Sequence, residues 1–173
     1  MANITLKGDA IKTNADLPEV GSEAPDFTLV DGDLNNVSLA NYKGKKKLIS
    51  IVPSLDTGVC ATSTKVFNEH FAGRDDAVAL IVSADLPFAQ KRFCDMEKVG
   101  NVQALSMMRD RHFAKDYGVL VEDGPLAGIT ARAVLVLDED NTVLHAELVP
   151  EIAQEPDYDL AIAAIKPSSG NAD

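Results

Sequence analysis

Three short runs of apolar and β-branched residues, at 47–52, 77–83 and 102–106, constrain the fold more than any other feature. The first two read as buried strands and 102–106 as a third strand. Such strands need helices above and below them, and each run is followed by a helical pattern. After 47–52 and a loop opened by Pro53, apolar residues at Val59, Val66, Phe67 and Phe71 predict a helix over 59–72. After 77–83, Asp85 sits just before a helix with Pro87 in its first turn; it carries Phe88, Phe93 and Cys94 and ends near Gly100. After 102–106, a short helix over 110–117 is stopped by Gly118. The segment 118–130 is rich in glycine and proline and reads as loop. Residues 132–137 and 143–149, joined by an acidic turn, read as a β-hairpin, and 156–165 as a last helix. Weak alternation over 3–13 around Gly8-Asp9 predicts an N-terminal hairpin, with short strands at 27–30 and 37–39.

This order gives parallel strands in the middle and an antiparallel hairpin at the end, so the expected sheet is mixed. It fits an α/β, thioredoxin-like architecture with the sheet flanked by helices. At about 100–200 residues per domain, the chain reads as one domain, 1–173, with 166–173 as a flexible tail. With 46% apolar and 25% charged residues the composition is that of an ordinary globular protein. Sixteen basic residues against 27 acidic give a net charge of −11, which argues against a nucleic-acid partner. The one basic cluster, Lys43, Lys45, Lys46 and Lys47, reads as a solvated turn before a strand. No leader pattern is visible, and no apolar run approaches the roughly 20 residues of a membrane helix. A cytoplasmic protein in a reducing compartment is expected, where two cysteines are more often reactive or inert than a permanent staple.

Cys60 lies where the strand 47–52 gives way to a helix, the kind of strand end at which α/β sheets build sites. In the first turn of that helix, unpaired backbone N–H groups and the helix dipole favour an anion, and the thiolate is the nucleophilic form of cysteine. Thr57, three residues earlier, can present a hydroxyl to whatever approaches the sulfur. The plainer alternative makes Thr57 a helix cap and Cys60 a small buried hydrophobe, and spacing leaves both open. Cys94, at the end of the next helix, is by itself ordinary packing, but a second thiol beside a reactive one is the layout of a redox pair. Metal binding is disfavoured, because Cys60, Cys94, His70, His112 and His145 are scattered without paired ligand spacing. A cysteine hydrolase would need a histidine near Cys60, and nothing in the sequence positions one.

Pro53-x-x-x-Thr57-x-x-Cys60 resembles the active-site signature of the peroxiredoxins. The stretches Pro53 to Cys60, Ser83 to Cys94 and Asp123 to Ala133 look like the thiol peroxidase branch, the atypical two-cysteine peroxiredoxins. The resemblance runs from about residue 8 to 165, with the three motifs in order. It implies that Cys60 attacks peroxide, with Pro53, Thr57 and Arg132 as its active-site neighbours, and that Cys94 resolves the product as an intrachain Cys60–Cys94 disulfide. It also implies a thioredoxin-like fold with an added N-terminal hairpin, a homodimer, hydroperoxide substrates and reduction by thioredoxin, with no metal or organic cofactor. The physics agrees: a fixed cation at Arg132 favours the thiolate and donates to a peroxide oxygen as charge develops. Phe88, Phe93 and Met108 are candidates for an apolar wall suited to alkyl hydroperoxides. A non-catalytic redox sensor and an inert thioredoxin-like binding module are the rival classes.

Overall fold

The computed structural model describes residues 1–167. In chain order come the hairpin β1 (Asn3–Leu6) and β2 (Asp9–Lys12), then β3 (Leu29–Val30), β4 (Asn36–Val37) and β5 (Lys46–Ile51). Next are α1 (Gly58–His70), β6 (Ala77–Ser83), α2 (Pro87–Glu97), β7 (Gln103–Ser106) and α3 (His112–Asp116), then β8 (Ala133–Leu137), β9 (Val143–Leu148) and α4 (Tyr158–Ala164). β1 and β2 pair apart from the rest; the other seven strands form one sheet in the order β4-β3-β7-β6-β5-β8-β9. β5 pairs parallel with β6 and β6 with β7, whereas β5–β8, β8–β9 and β3–β7 are antiparallel. The expected thioredoxin-like mixed sheet and N-terminal hairpin are both present.

The continuous apolar runs are explained by the two faces of this sheet. On one face Leu48, Ala79, Val134 and Val136 meet Phe67 and Phe71 at the C-terminal end of α1, and Ala161 and Ile165 at α4. On the other, Ile49, Ile51, Leu80, Val82, Leu105 and Leu135 meet Phe27, Tyr42, Phe113 and Tyr117. Alternate residues of β5 thus serve opposite cores, and each fully buried Leu or Phe contributes about 1.5–3 kcal/mol. A third cluster joins Ile4 and Ile11 of the hairpin to Val121, Ala131 and Ile152.

Several boundaries move. The last helix starts at Tyr158 because Asp157 caps it, its carboxylate accepting from Leu160 N at 3.1 Å. The helix expected over 110–117 is reduced to α3, since Asp110 is turned outward to accept from Thr28 N at 3.0 Å. Arg132 falls one residue before β8. The tail expected over 166–173 lies outside the described residues beyond 167, and Lys166 is held by Lys46 Nζ donating to its carbonyl at 3.0 Å. Among the described residues no helix is long and apolar enough to cross a membrane.

The strand pairing fixes what stands around the end of β5. Ile51 lies opposite Val82 of β6 on one side and Ala133 of β8 on the other. Because β8 runs against β5, the residues just before β8 stand beside those just after β5. Three segments distant in sequence, 52–60, 83–85 and 130–132, converge at this edge.

Candidate active site

The ladder continues one residue past β5, with Val52 N donating to Val82 O at 3.0 Å. Thr130 Oγ1 donates to Val52 O at 2.9 Å and pins the chain where it leaves the sheet. Pro53 is buried there and has no N–H to leave unpaired. The chain then turns through 54–57 into α1, whose N-cap is Thr57 with extended φ −119° and ψ 151°. Its hydroxyl does not cap the helix; Oγ1 donates instead to Ser54 O at 3.1 Å, which leaves the oxygen lone pairs free to accept.

Cys60 is the third residue of α1 and is 0% exposed. It sits in an apolar cluster with Val52, Leu55 and Ile81, against which Phe93, Val102 and Ala104 pack. The polar exception is Arg132, itself 3% exposed, whose Nη1 donates to Cys60 Sγ at 3.1 Å. Its Nε donates to Ile152 O at 2.9 Å, so the guanidinium plane is held from one side and aimed at sulfur from the other. Among the described residues no carboxylate lies in ion-pair range of Arg132. A buried cation without a carboxylate must spend its donors on other acceptors, and here these are the Ile152 carbonyl and the Cys60 sulfur.

Ile152 is in turn fixed by the N-terminal hairpin. Its N–H donates to Thr5 O at 2.9 Å, while Thr5 N donates to Pro150 O at 2.8 Å. The Glu151 carboxylate clamps the same junction, accepting from Gly8 N at 2.9 Å, Thr5 Oγ1 at 3.1 Å and Ala153 N at 2.8 Å. The Ala153 N–H, then that of Gly8, hold the carboxyl below its ordinary range. The hairpin therefore supports the arginine that touches Cys60. Nothing in the sequence marks this, because the link is a backbone carbonyl.

Cys94 lies in the last turn of α2 and is half-buried; both cysteines are free thiols. Burial pushes the Cys94 thiol up, and the neighbouring Asp95 charge adds to the effect. Cys94 lines a cavity of about 260 Å³ with Gln90, Lys91, Val102, Gln103 and Ala104, separate from the Cys60 cluster but sharing Val102 and Ala104 with it. The turn ends at Lys98, which has a left-handed φ of 55°, and Val99 N donates to Cys94 O at 3.1 Å. A non-glycine residue in that region is disfavoured by about 1–2 kcal/mol, which weakens this helix end.

The structure thus brings Pro53, Thr57, Cys60 and Arg132 to one place and leaves Cys94 nearby in its own surroundings. Of the apolar wall expected from Phe88, Phe93 and Met108, Phe93 packs against the Cys60 cluster. Phe88 is 66% exposed, because α2 buries Pro87 and Gln90 instead. Met108 is half-buried and outside that cluster.

A thiol at a strand–helix junction of a mixed sheet, faced by a buried guanidinium, defines a thioredoxin-like thiol protein. The redoxin family model matches residues 19–162. A thiol peroxidase of Mycobacterium tuberculosis (strain H37Rv) is 54% identical over 165 residues, covering 95% of this chain and 99% of the relative. The thiol peroxidase of Mycobacterium bovis matches to the same extent, 54% over 165 residues. Among solved structures, a peroxiredoxin-like protein from Aquifex aeolicus superposes with a TM-score of 0.90 at 42% identity, covering 96% of both chains. A thiol peroxidase from Chromobacterium violaceum shares the fold, with a TM-score of 0.85 at 24% identity over 91% of both chains. The chain belongs to the thiol peroxidases of the redoxin family.

Proposed function

We propose that the chain reduces hydroperoxides at Cys60 and resolves the oxidised product with Cys94. The contact that carries this reading is the 3.1 Å approach of Arg132 Nη1 to Cys60 Sγ. The Cys60 thiolate, its proton released to solvent, attacks the terminal oxygen of the hydroperoxide. An S–O bond forms, the O–O bond breaks, and the leaving alkoxide or hydroxide takes one proton back from solvent to depart as alcohol or water. Arg132 stabilises the negative charge on sulfur and then on the departing oxygen. The Thr57 oxygen, with its own proton given to Ser54 O, accepts the hydroperoxide O–H and orients it. Buried Pro53 and the apolar cluster exclude water from the sulfur.

The sulfenic acid on Cys60 then meets the Cys94 thiol. The S–O bond breaks, a disulfide forms, and the hydroxyl leaves as water with the thiol proton. The two thiols occupy separate surroundings, so this step requires the start of α1 and the end of α2 to loosen. The weak left-handed end of α2 supports that opening. An external dithiol protein of the thioredoxin type returns the disulfide to two thiols by exchange. The working form is a homodimer in the cytoplasm, and the exposed apolar side chains of Leu86, Phe88 and Met96 at α2 support a partner surface.

Peroxide consumption driven by thioredoxin, its reductase and NADPH tests the scheme. The wild type turns over many times and Cys60→Ser not at all. Cys94→Ser reacts once and stops. Sustained thioredoxin-driven turnover by Cys60→Ser would overturn it.

A further inference from the structure

Asp85 stands between the two thiol-bearing segments and is bonded to the loop that leads to Cys60. Its Oδ1 accepts from Ser54 Oγ at 2.7 Å, and its Oδ2 accepts from Leu55 N at 2.7 Å and Ser83 Oγ at 2.8 Å. Its own backbone is fixed, since Ser106 Oγ donates to Asp85 O at 2.6 Å and Asp85 N donates to Ser83 Oγ at 3.3 Å. On the Cys60 side, Ser54 Oγ accepts from Asp56 N at 3.1 Å and Ser54 O accepts from Thr57 Oγ1 at 3.1 Å. On the Cys94 side, Ser83 Oγ accepts from Gln90 Nε2 at 3.0 Å, and the same nitrogen donates to Leu105 O at 2.9 Å. Gln90 is 1% exposed and lies one turn before Cys94 on α2. A continuous chain of hydrogen bonds thus runs from the helix of one cysteine to the N-cap of the helix of the other. Asp85 is its acidic member, and among the described residues no Lys or Arg lies in ion-pair range of it.

We infer that Asp85 is a positioning residue that holds the 54–57 loop in the form that attacks peroxide, and that its release is part of disulfide formation. The inference rests on the two-cysteine cycle proposed above. Cys60 is sealed in its pocket, so it reaches Cys94 only when the first turn of α1 and the preceding loop let go. The bonds from Ser54 Oγ and Leu55 N to Asp85 are those that tie this loop to the neighbouring segment. Hydrogen bonds to a charged group are the stronger class, so they set how readily the loop opens. At the far end of the chain Gln90 Oε1 is buried with no partner, so the network is incompletely satisfied on the side of α2.

Removing the anchor therefore acts with opposite sign on the two chemical steps. Attack on peroxide slows, because Thr57 and the loop lose their support. Disulfide formation speeds up, because less must be broken to open the loop. The competing fate of the sulfenic acid, attack on a second hydroperoxide to give sulfinic acid and one more alcohol or water, falls accordingly.

The test mixes the reduced full-length chain with excess hydrogen peroxide in a quench-flow device and counts sulfenic acid, disulfide and sulfinic acid by mass, so that conversion of sulfenic acid to disulfide is followed apart from attack; the chain has no tryptophan to report optically. Asp85→Asn is expected to raise the rate of disulfide formation about tenfold, the loss of one hydrogen bond to a charged group, and to lower the sulfinic fraction. Ser83→Ala, which leaves Asp85 in place but removes one of its donors, is expected to move both readouts the same way by a smaller factor, and covers the case in which Asp85→Asn fails to fold. Folded variants whose disulfide rate is unchanged or reduced would overturn the inference. A purely structural role lowers the melting temperature without raising that rate. If the wild type itself forms no Cys60–Cys94 disulfide, the cycle fails rather than the assignment of Asp85.

Discussion

Arg132 reaches Cys60 with one nitrogen while another holds the Ile152 carbonyl, at 3.1 and 2.9 Å. The guanidinium is thus oriented by a backbone group from a segment that the N-terminal hairpin supports. Arg132→Met should lower the second-order rate of Cys60 oxidation by about 10²–10³-fold, the usual effect of losing one donor to a developing oxyanion. Arg132→Lys should fall between, since a single ammonium cannot keep the forked geometry to both partners. Competition against a peroxide-consuming thiol of known rate measures this; an Arg132→Met chain reacting at the wild-type rate would remove Arg132 from the mechanism.

Resolution should be sensitive to pH. Burial and then the Asp95 charge raise the Cys94 thiol above its ordinary value. The attacking form is the thiolate, so disulfide formation should keep climbing with pH beyond the range where an ordinary thiol levels off. Asp95→Asn removes the like charge, lowers the Cys94 pKa and should shift the climb to lower pH without changing peroxide attack. Single-turnover disulfide formation followed from about pH 6 to about pH 10 decides, with coincident profiles for the two chains counting against it.

The Glu151 clamp should open in acid. Ala153 N–H and then Gly8 N–H hold its carboxyl below the ordinary range in the folded chain. A depressed carboxyl contributes stability that is full above its unfolded pKa and disappears as pH falls through the folded value. Protection of the Gly8 and Ala153 amides, measured against the slower intrinsic exchange in acid, should therefore fall in that window, ahead of that of the β5 amides. In Glu151→Gln the same amides should exchange fast already at neutral pH, with no acid step. Protection that persists unchanged in the variant would show that the carboxylate is not the clamp.

Lys47 offers a test away from the site. It is fully buried, and its Nζ donates to Asp138 O at 3.3 Å, Glu139 O at 3.3 Å and Asn141 Oδ1 at 2.7 Å, closing the β8–β9 turn. Lys47→Met keeps the stem but leaves those acceptors without their shared donor, at a cost of about 1–3 kcal/mol. A lowered melting temperature with the rate of Cys60 oxidation retained is the expected outcome; an unchanged melting temperature would show that water serves the turn as well.

What the sequence made legible follows from how each feature is encoded. Strands buried on both faces lack a polar alternate face, so β5 and β6 are legible from their apolar runs although Lys46, Lys47 and Ser50 interrupt β5 and Ser83 ends β6. Cys60 was legible as a strand–helix junction, a local feature. Arg132 was not, since 72 residues separate it from the sulfur and only the resemblance linked them. Ile152 acts through its carbonyl, which every residue type possesses. Asp85 read as a helix-start signal, yet the N-cap of α2 is Leu86 and the carboxylate turns back to the Cys60 loop. Phe88 and Phe93 looked alike on spacing, and only the burial of Gln90 shows which side of α2 faces inward.

The antiparallel pairing of β8 with β5 has a consequence for how activity arises during folding. Thiol and guanidinium are adjacent only once the chain's last third has docked against its first half. On the mechanism proposed above, a refolding molecule with native helices but without that closure should carry an ordinary, slow cysteine. Fast peroxide consumption should therefore act as a clock for long-range docking, one that starts only when the molecule is assembled.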